Sequence, residues 1–277
     1  MTPPKAQAGG EVPVARALGP RDELSAGSVG RVPEIRRPAL PLQAVEQVAR
    51  FVQDHHCDGI DVQDLADAAG YSRHHFSRAF KASTAVAPSA YLAAVRIDSA
   101  KRLLLSETCA VVDVAVEVGF DSLSSFTRRF ATTVGTTPAR LRLLAQKLDH
   151  SAVAPFTLSD PNQPIVAVTP VLPEGVDDSC RIWLGWYPTP APIGLPAAGQ
   201  LGEYDEPMSL PLHPSAPWLL GFVVEESDDH LHELAPAWPV VARHHVPITQ
   251  PGAVTLTFRR AGIDDIPLLS ALPALAK

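Results

Sequence analysis

Apolar residues recur at helical spacing through the first half of this chain and fall into short alternating runs in the second half. Between Leu42 and His55, Val45, Val48, Ala49 and Val52 share one stripe, which predicts an amphipathic helix. The next stretch, Asp61 to Phe80, reads DVQDLADAAGYSRHHFSRAF. Val62, Leu65, Ala66 and Ala69 line one face of a short helix. Gly70 ends it, because glycine accepts the positive φ of a sharp exit. Tyr71 follows as an apolar plug, and Ser72 is placed to cap a second helix through its hydroxyl. In that helix Phe76, Ala79 and Phe80 point one way; Arg73, His74, Ser77, Arg78 and Lys81 point the other.

The pattern is repeated from Val111 to Phe130, VVDVAVEVGFDSLSSFTRRF. Asp64, Leu65 and Ala66 return as Asp113, Val114 and Ala115, and Gly70 and Tyr71 as Gly119 and Phe120. Phe76, Arg78 and Phe80 return as Phe126, Arg128 and Phe130. The offset is 49 before the turn and 50 after it, so the second copy carries one more turn residue, near Asp121. Pro88 and Pro138 stand at the same distance beyond the two copies and open further helices, to about Leu105 and Leu148. The first of these buries Tyr91, Leu92, Val95, Ala100, Leu103 and Leu104. At ~1.5 Å per residue it is a rod of about 26 Å, long enough to hold two small helical units one turn of B-DNA apart.

Two short helices joined by a glycine turn, the second with a cationic outer face, make a helix-turn-helix pattern. A plain helical hairpin is the alternative for one copy. An internal repeat with matching turn glycines weighs against it. From about Leu42 to Leu144 the chain resembles the AraC-type DNA-binding domain of bacterial transcription regulators. The matching parts are LADAAGYSRHHFSRAFK, YLAAVRIDSAKRLLL and VAVEVGFDSLSSFTRRF with VGTTPARLR. Ala85 stands where that family usually has glycine, which puts the loop after the first recognition helix in question; Gly135 keeps the glycine in the second copy. Arg96 matches the family's arginine in the central helix and is read as a structural contact, an acidic residue on a neighbouring helix being the partner considered.

Beyond Ser151 prolines recur and the apolar runs become short and β-branched. Ile165–Thr169, Arg181–Tyr187, Trp218–Glu225, Pro239–Val246 and Ala253–Arg259 read as strands, with Ala197–Gly202 and Met208–Leu212 as weaker ones. Strands at this spacing without a long helix predict a β-sandwich or barrel. The run WLGWYPTPAPIGLPAAG, followed by PSAPWLLGFVVEE, resembles transthyretin-like sandwiches and favours the sandwich. The expected fold is therefore two domains: an all-α tandem helix-turn-helix (homeodomain-like) domain, then an all-β sandwich-like domain. Residues 1–40, rich in Pro, Gly and Ala, are read as a disordered tail in which Arg31, Arg36 and Arg37 are basic enough to meet phosphate. The helical domain occupies 41–148, a linker 149–163, and the β-domain, effector or interaction module, 164–277. This order reverses the commoner AraC-type arrangement.

A net charge of −7 argues against DNA binding until it is located. Residues 143–277 carry 6 basic and 15 acidic side chains, whereas residues 42–142 carry 11 of each. Within the latter the acids sit on first helices and the arginines on second helices, so a neutral domain still presents a basic face. Cys57, Cys109 and Cys180 are scattered with no metal-ligand spacing and read as free thiols in a reducing cytosol. No apolar run reaches membrane-spanning length, and nothing reads as a secretory leader. The protein is expected to be cytoplasmic, without cofactor, metal or membrane partner.

In the first recognition helix His74, Ser77 and Arg78 are assigned to the groove, with Arg73 and His75 on phosphates. In the second, Ser124, Thr127 and Arg128 take the groove, flanked by Ser125 and Arg129. The plain alternatives are a solvated Arg129 and a Thr127 that back-bonds to its own helix. His230, His232 and Glu233, with His244 and His245, have partial metal-ligand spacing, but the acidic surroundings read as a surface loop. Asp177 and Asp178 read as a turn. No nucleophile elbow, phosphate-binding glycine loop or HExxH motif is present. Strand alternation sends Trp183 and Trp186 to opposite faces, so one of them falls outside a one-sided core. With Trp218 they are the candidates for an aromatic ligand pocket, a contact surface being the alternative. The partners expected are double-stranded DNA, RNA polymerase, and a small-molecule effector or second copy at the β-domain. A rival reading makes the β-domain an enzyme and DNA binding its targeting device.

Overall fold

The computed structural model describes residues 39–148, 154–158, 162–224, 234–237 and 239–271. Helices come first in the chain: α1 (Leu42–His55), α2 (Val62–Ala68), α3 (Arg73–Thr84), α4 (Pro88–Ser106), α5 (Val111–Glu117), α6 (Leu123–Val134) and α7 (Pro138–Leu148). The strands follow: β1 (Phe156–Leu158), β2 (Ile165–Val171), β3 (Arg181–Tyr187), β4 (Ala198–Glu203), β5 (Met208–Pro211), β6 (Trp218–Val224), β7 (Val240–Arg243), β8 (Gly252–Thr257) and β9 (Arg259–Arg260).

The stripe expected of α1 is its buried face, Val45, Val48, Ala49 and Val52. Asp61 starts α2 with a reciprocal cap. Its carboxylate accepts from the Gln63 and Asp64 N–H groups, while the Asp64 carboxylate accepts from Asp61 N–H. Both glycine turns close with the same bond. Tyr71 N–H donates to the Ala66 carbonyl and Phe120 N–H to that of Ala115, each at 2.9 Å. Gly70 and Gly119 hold φ at 72° and 81°, as the sharp exits require. The serine caps differ. Ser122 accepts from Ser125 N–H at 3.3 Å, but the Ser72 hydroxyl makes no cap bond, so that expectation fails in the first copy.

Each hairpin has its own aromatic centre. Phe76, Phe80 and Tyr91 stand 5.3 and 5.5 Å apart between ring centroids, and so do Phe120, Phe126 and Phe130. Helix α4, 19 residues and about 28 Å long, runs between the hairpins. From it Arg96 donates to the carbonyls of His56 at 2.8 Å and Ile60 at 3.1 Å. Its role is structural, as expected, but its hydrogen-bond partners are backbone carbonyls, at the end of α1 and just before α2, and the acidic residue near it, Asp121, acts through its charge.

The strands form two sheets. The larger has the order β1-β4-β3-β6-β7-β9 with antiparallel neighbours, and the smaller the order β5-β2-β8, in which β2 and β8 run parallel. Val166, Leu210 and Leu256 of the smaller sheet share one core with Ile182, Leu184, Trp186 and Val223 of the larger. The smaller sheet alternates, leaving Ile165 and Val171 exposed. The larger is covered on both faces, and β3 is buried at all seven positions. Trp183 and Trp186 do face opposite ways, yet both are fully buried. Phe156 of β1, Phe222 and Leu268 close over Trp183. The expectation that one tryptophan would escape the core fails because this sheet has a second covered face. Strand β1 itself lies in the stretch read as linker. Three residues are too few to show a period.

The helices and sheets also pack on one another. Ala191 and Ile193, between β3 and β4, join the core of the first hairpin, and Leu269 and Ala271 join that of the second. Leu195 fills the space a side chain on Gly135 would need, at the end of α6. Among the described residues no helix is long and apolar enough to cross a membrane.

Candidate nucleic-acid interface

The two second helices present matching outer faces because their inner faces are taken up by matching aromatics. In α3, Phe76, Ala79 and Phe80 are buried, and Arg73, His74, Arg78 and Lys81 are exposed. In α6, Phe126, Phe130 and Val134 are buried, and Ser124, Ser125, Arg128 and Arg129 are exposed. Ser77 and Thr127 are half-buried at equivalent positions. Arg78 and Arg128 therefore stand two residues before the buried Phe80 and Phe130, each on an open face. Among the described residues the side chains of Arg73, Arg78, Arg128 and Arg129 have no carboxylate within ion-pair distance. Four uncompensated guanidinium groups on these two helices give a net-acidic chain a cationic face suited to phosphate and to guanine edges.

Two assigned residues differ in detail. His75 stacks on Tyr71, with ring centroids 5.2 Å apart and planes 13° from parallel, which fixes it beside the turn of the first hairpin. The back-bonding considered for Thr127 is instead made by its neighbours: Thr132 donates to the carbonyls of Arg128 and Arg129, and Thr133 to that of Arg129. Sequence reading missed Leu123. At 44% exposure it opens α6 at the position where Arg73 opens α3, and the offset of 50 after the turn was enough to find it.

Ala85 ends α3 with φ 64°, the left-handed value for which glycine is favoured; Gly135 ends α6 with φ 90°. The loop path is thus kept in both copies although the residue differs. Among the described residues Ala85 is the one non-glycine with positive φ.

A cavity of about 610 Å³ lies where the end of α3 and the start of α1 meet the larger sheet. Leu42, Trp183, Phe222 and Leu268 give it an apolar wall, and Arg243, Arg259 and Asp265 a polar one. Arg259 grips Asp265 through both terminal nitrogens, at 2.6 and 2.8 Å. Burial pushes the Asp265 carboxyl up, but its bonds to Arg259 and to Gly262 N–H outweigh this and hold it below the usual carboxylate range. Of the three tryptophans singled out, Trp183 contributes to the cavity. Trp186 lies in the core between the sheets, and Trp218 is half-buried at the start of β6. His230, His232, Glu233 and Trp238 lie outside the described residues. His244 and His245 have ring centroids 4.5 Å apart, and among the described residues no group of three or more His, Cys, Asp or Glu could hold a metal ion.

The duplicated hairpins define a helix-turn-helix domain of the AraC type, and a family model described as a helix-turn-helix domain matches residues 65–143. The chain is similar to the xylose operon regulatory protein of Escherichia coli (strain K12), 31% identical over 99 residues, 36% of this chain and 25% of that protein. It is also similar to the HTH-type transcriptional regulator ExsA of Pseudomonas aeruginosa, 33% identical over 98 residues, 35% of each. Among solved structures, the DNA-binding domain of AdpA in complex with a target DNA is 29% identical, with a TM-score of 0.37, over 39% of this chain and 98% of that one. The chain spans about a quarter to a third of the length of these curated relatives. The residues that the family model matches run from α2 into α7.

Proposed function

We propose that this protein is a sequence-specific DNA-binding transcription regulator that reads two successive major-groove segments with α3 and α6. The observation that carries the reading is the pair of matching helices with exposed arginines, Arg78 and Arg128, that have no ion-pair partner among the described residues, in a duplicated unit. His74, Ser77, Arg78, Ser124, Thr127 and Arg128 read bases. Arg73, His75, Ser125 and Arg129 hold phosphate, and Leu123 is placed to meet a thymine methyl. Residues 41–148 carry this activity. The strands from β1 onward form a sandwich-like module that senses or docks.

The cavity beside Trp183 supports a small-molecule effector over a purely architectural module, since its volume falls in the range of ligand sites. A second copy or RNA polymerase at the β-module is the competing partner. The setting is the cytoplasm. Footprinting the full chain on DNA upstream of its own gene tests the reading. Protection of two adjacent segments on one side of the duplex, weakening steeply with salt, is the expected result. Binding that is absent, or indifferent to salt and sequence, sinks it.

A further inference from the structure

After β9 the chain leaves the sheet and engages the helices. Tyr91 Oη donates to the Ile263 carbonyl at 3.3 Å, and Lys101 Nζ to those of Leu268 at 2.8 Å and Leu269 at 3.4 Å. Ala271 N–H donates to the Val134 carbonyl at 3.0 Å. Val134 is the last residue of α6, so its carbonyl is one of the acceptors that a helix end leaves without an internal partner. The segment that ends on it therefore caps a proposed reading helix.

The contacts are divided unevenly between the two hairpins. Ile266, half-buried, touches both hairpin cores. Leu269 and Ala271, both fully buried, belong to the second alone, where they pack in one cluster with Val114, Phe126, Phe130 and Val134. The first hairpin completes its core with Leu40, from before α1, and with Ala191, from the β3–β4 connection. Lys101 is the other half of the arrangement. It lies on α4 with its side chain wholly buried, a placement that is costly for an ammonium unless acceptors meet it, and the acceptors are carbonyls of this segment. Arg102, next to it, reaches the Ala235 and Pro236 carbonyls at 2.9 and 3.0 Å and so ties α4 to the β-module a second time.

We infer that Gly262–Ala271 is an integral part of the second DNA-reading unit, a strap that completes its core, with Lys101 and Leu269 as positioning residues for α6. The duplication is then asymmetric: the second unit borrows from the far end of the chain what the first obtains elsewhere. Whatever shifts the strap alone shifts α6 before α3, whereas an occupant of the cavity, which Ala82 to Thr84 at the end of α3 line together with Leu268, meets α3 directly. The structural part stands on packing alone. Its consequence for DNA rests on the reading of α3 and α6 as groove helices.

The test uses the full chain and Leu269→Ala, with Leu269→Val, which removes a single methylene, as the milder variant should the first fail to fold. Hydrogen exchange is followed separately in α2–α3 and α5–α6. Amides of α5 and α6 are expected to exchange roughly tenfold faster or more in the variant, with α2 and α3 nearly unchanged, because local openings track local packing. On DNA, the loss of affinity caused by scrambling the segment read by α6 should shrink severalfold, and that for the α3 segment should persist. Equal acceleration in both hairpins, or none in either, overturns the strap. If the parent protein shows no sequence preference at all, the DNA reading fails, and the exchange result still decides the strap.

Discussion

Gly119 lies directly against the Arg96 guanidinium: a Cβ on it would stand 3.1 Å from Arg96 Nε and 2.8 Å from the His56 carbonyl oxygen that Arg96 holds. Gly70, its counterpart in the first hairpin, has nothing within 4 Å of the same position. Both have positive φ, so both resist substitution through the backbone, by about 1–2 kcal/mol for an alanine. Only Gly119→Ala must also displace the bond between α4 and the exit of α1. Urea unfolding of the two variants should show a clearly larger loss for Gly119→Ala than for Gly70→Ala. Equal losses would mean that Arg96 moves aside freely and does not brace the hairpins.

Ala85 gives a prediction of opposite sign. Its φ of 64° is strained for a residue with a Cβ. Glycine removes that strain but adds freedom to the unfolded chain, so Ala85→Gly should stabilise by a net ~0.5–1 kcal/mol. Denaturant midpoints measure it. A destabilised variant would show that packing of the Ala85 methyl outweighs the backbone term.

On DNA, Arg78→Ala and Arg128→Ala should each cost about 1–3 kcal/mol on the correct site and much less on scrambled duplex. Each should relax a different part of the site, and the double variant should lose the sum. Arg73→Ala should weaken both duplexes alike and lower the salt slope by about one. Affinities on the two duplexes at several salt concentrations separate these outcomes. A uniform loss for Arg78→Ala would move base reading to His74 and Ser77.

The helical half was legible because its signals are local. Stripe, turn glycine and helix-opening proline lie within a few residues of one another, and α1 and α7 end where the pattern ends. The repeat then placed the exposed arginines. What stayed hidden depends on contacts distant in sequence. Lys101 reads as one more surface lysine of α4 until Leu268 and Leu269, far along the chain, cover it. Likewise the double-sided burial of β3 needs Phe156 and Leu268, which no alternation within β3 reveals. One clue was available. Gly185 and Gly199 pair across β3 and β4, and a side chain on either would overlap the Trp183 ring. Glycine inside a strand marks a close approach of this kind, so the tryptophan's covered face could have been suspected.

Lys101 supplies a pH test of the strap. Burial pushes its ammonium down to about 8; Arg102 adds to this and Asp98 opposes it. Below pH 8 the lysine is charged in both folded and unfolded chains, and the full penalty of burying that charge weighs on the folded state. Between pH 8 and about 10.4, the ordinary lysine value, the folded chain releases its proton while the unfolded chain keeps it. The unfolded state then binds more protons, and stability gains a contribution that rises with pH through that window. Lys101→Met retains most of the stem and removes the titration. The difference in unfolding free energy, parent minus variant, should therefore climb between pH 8 and 10. Other groups, the buried Tyr91 hydroxyl among them, largely cancel in that difference. A flat difference would mean that the ammonium reaches water in the folded protein, and Lys101 would no longer count as a buried pin on the strap.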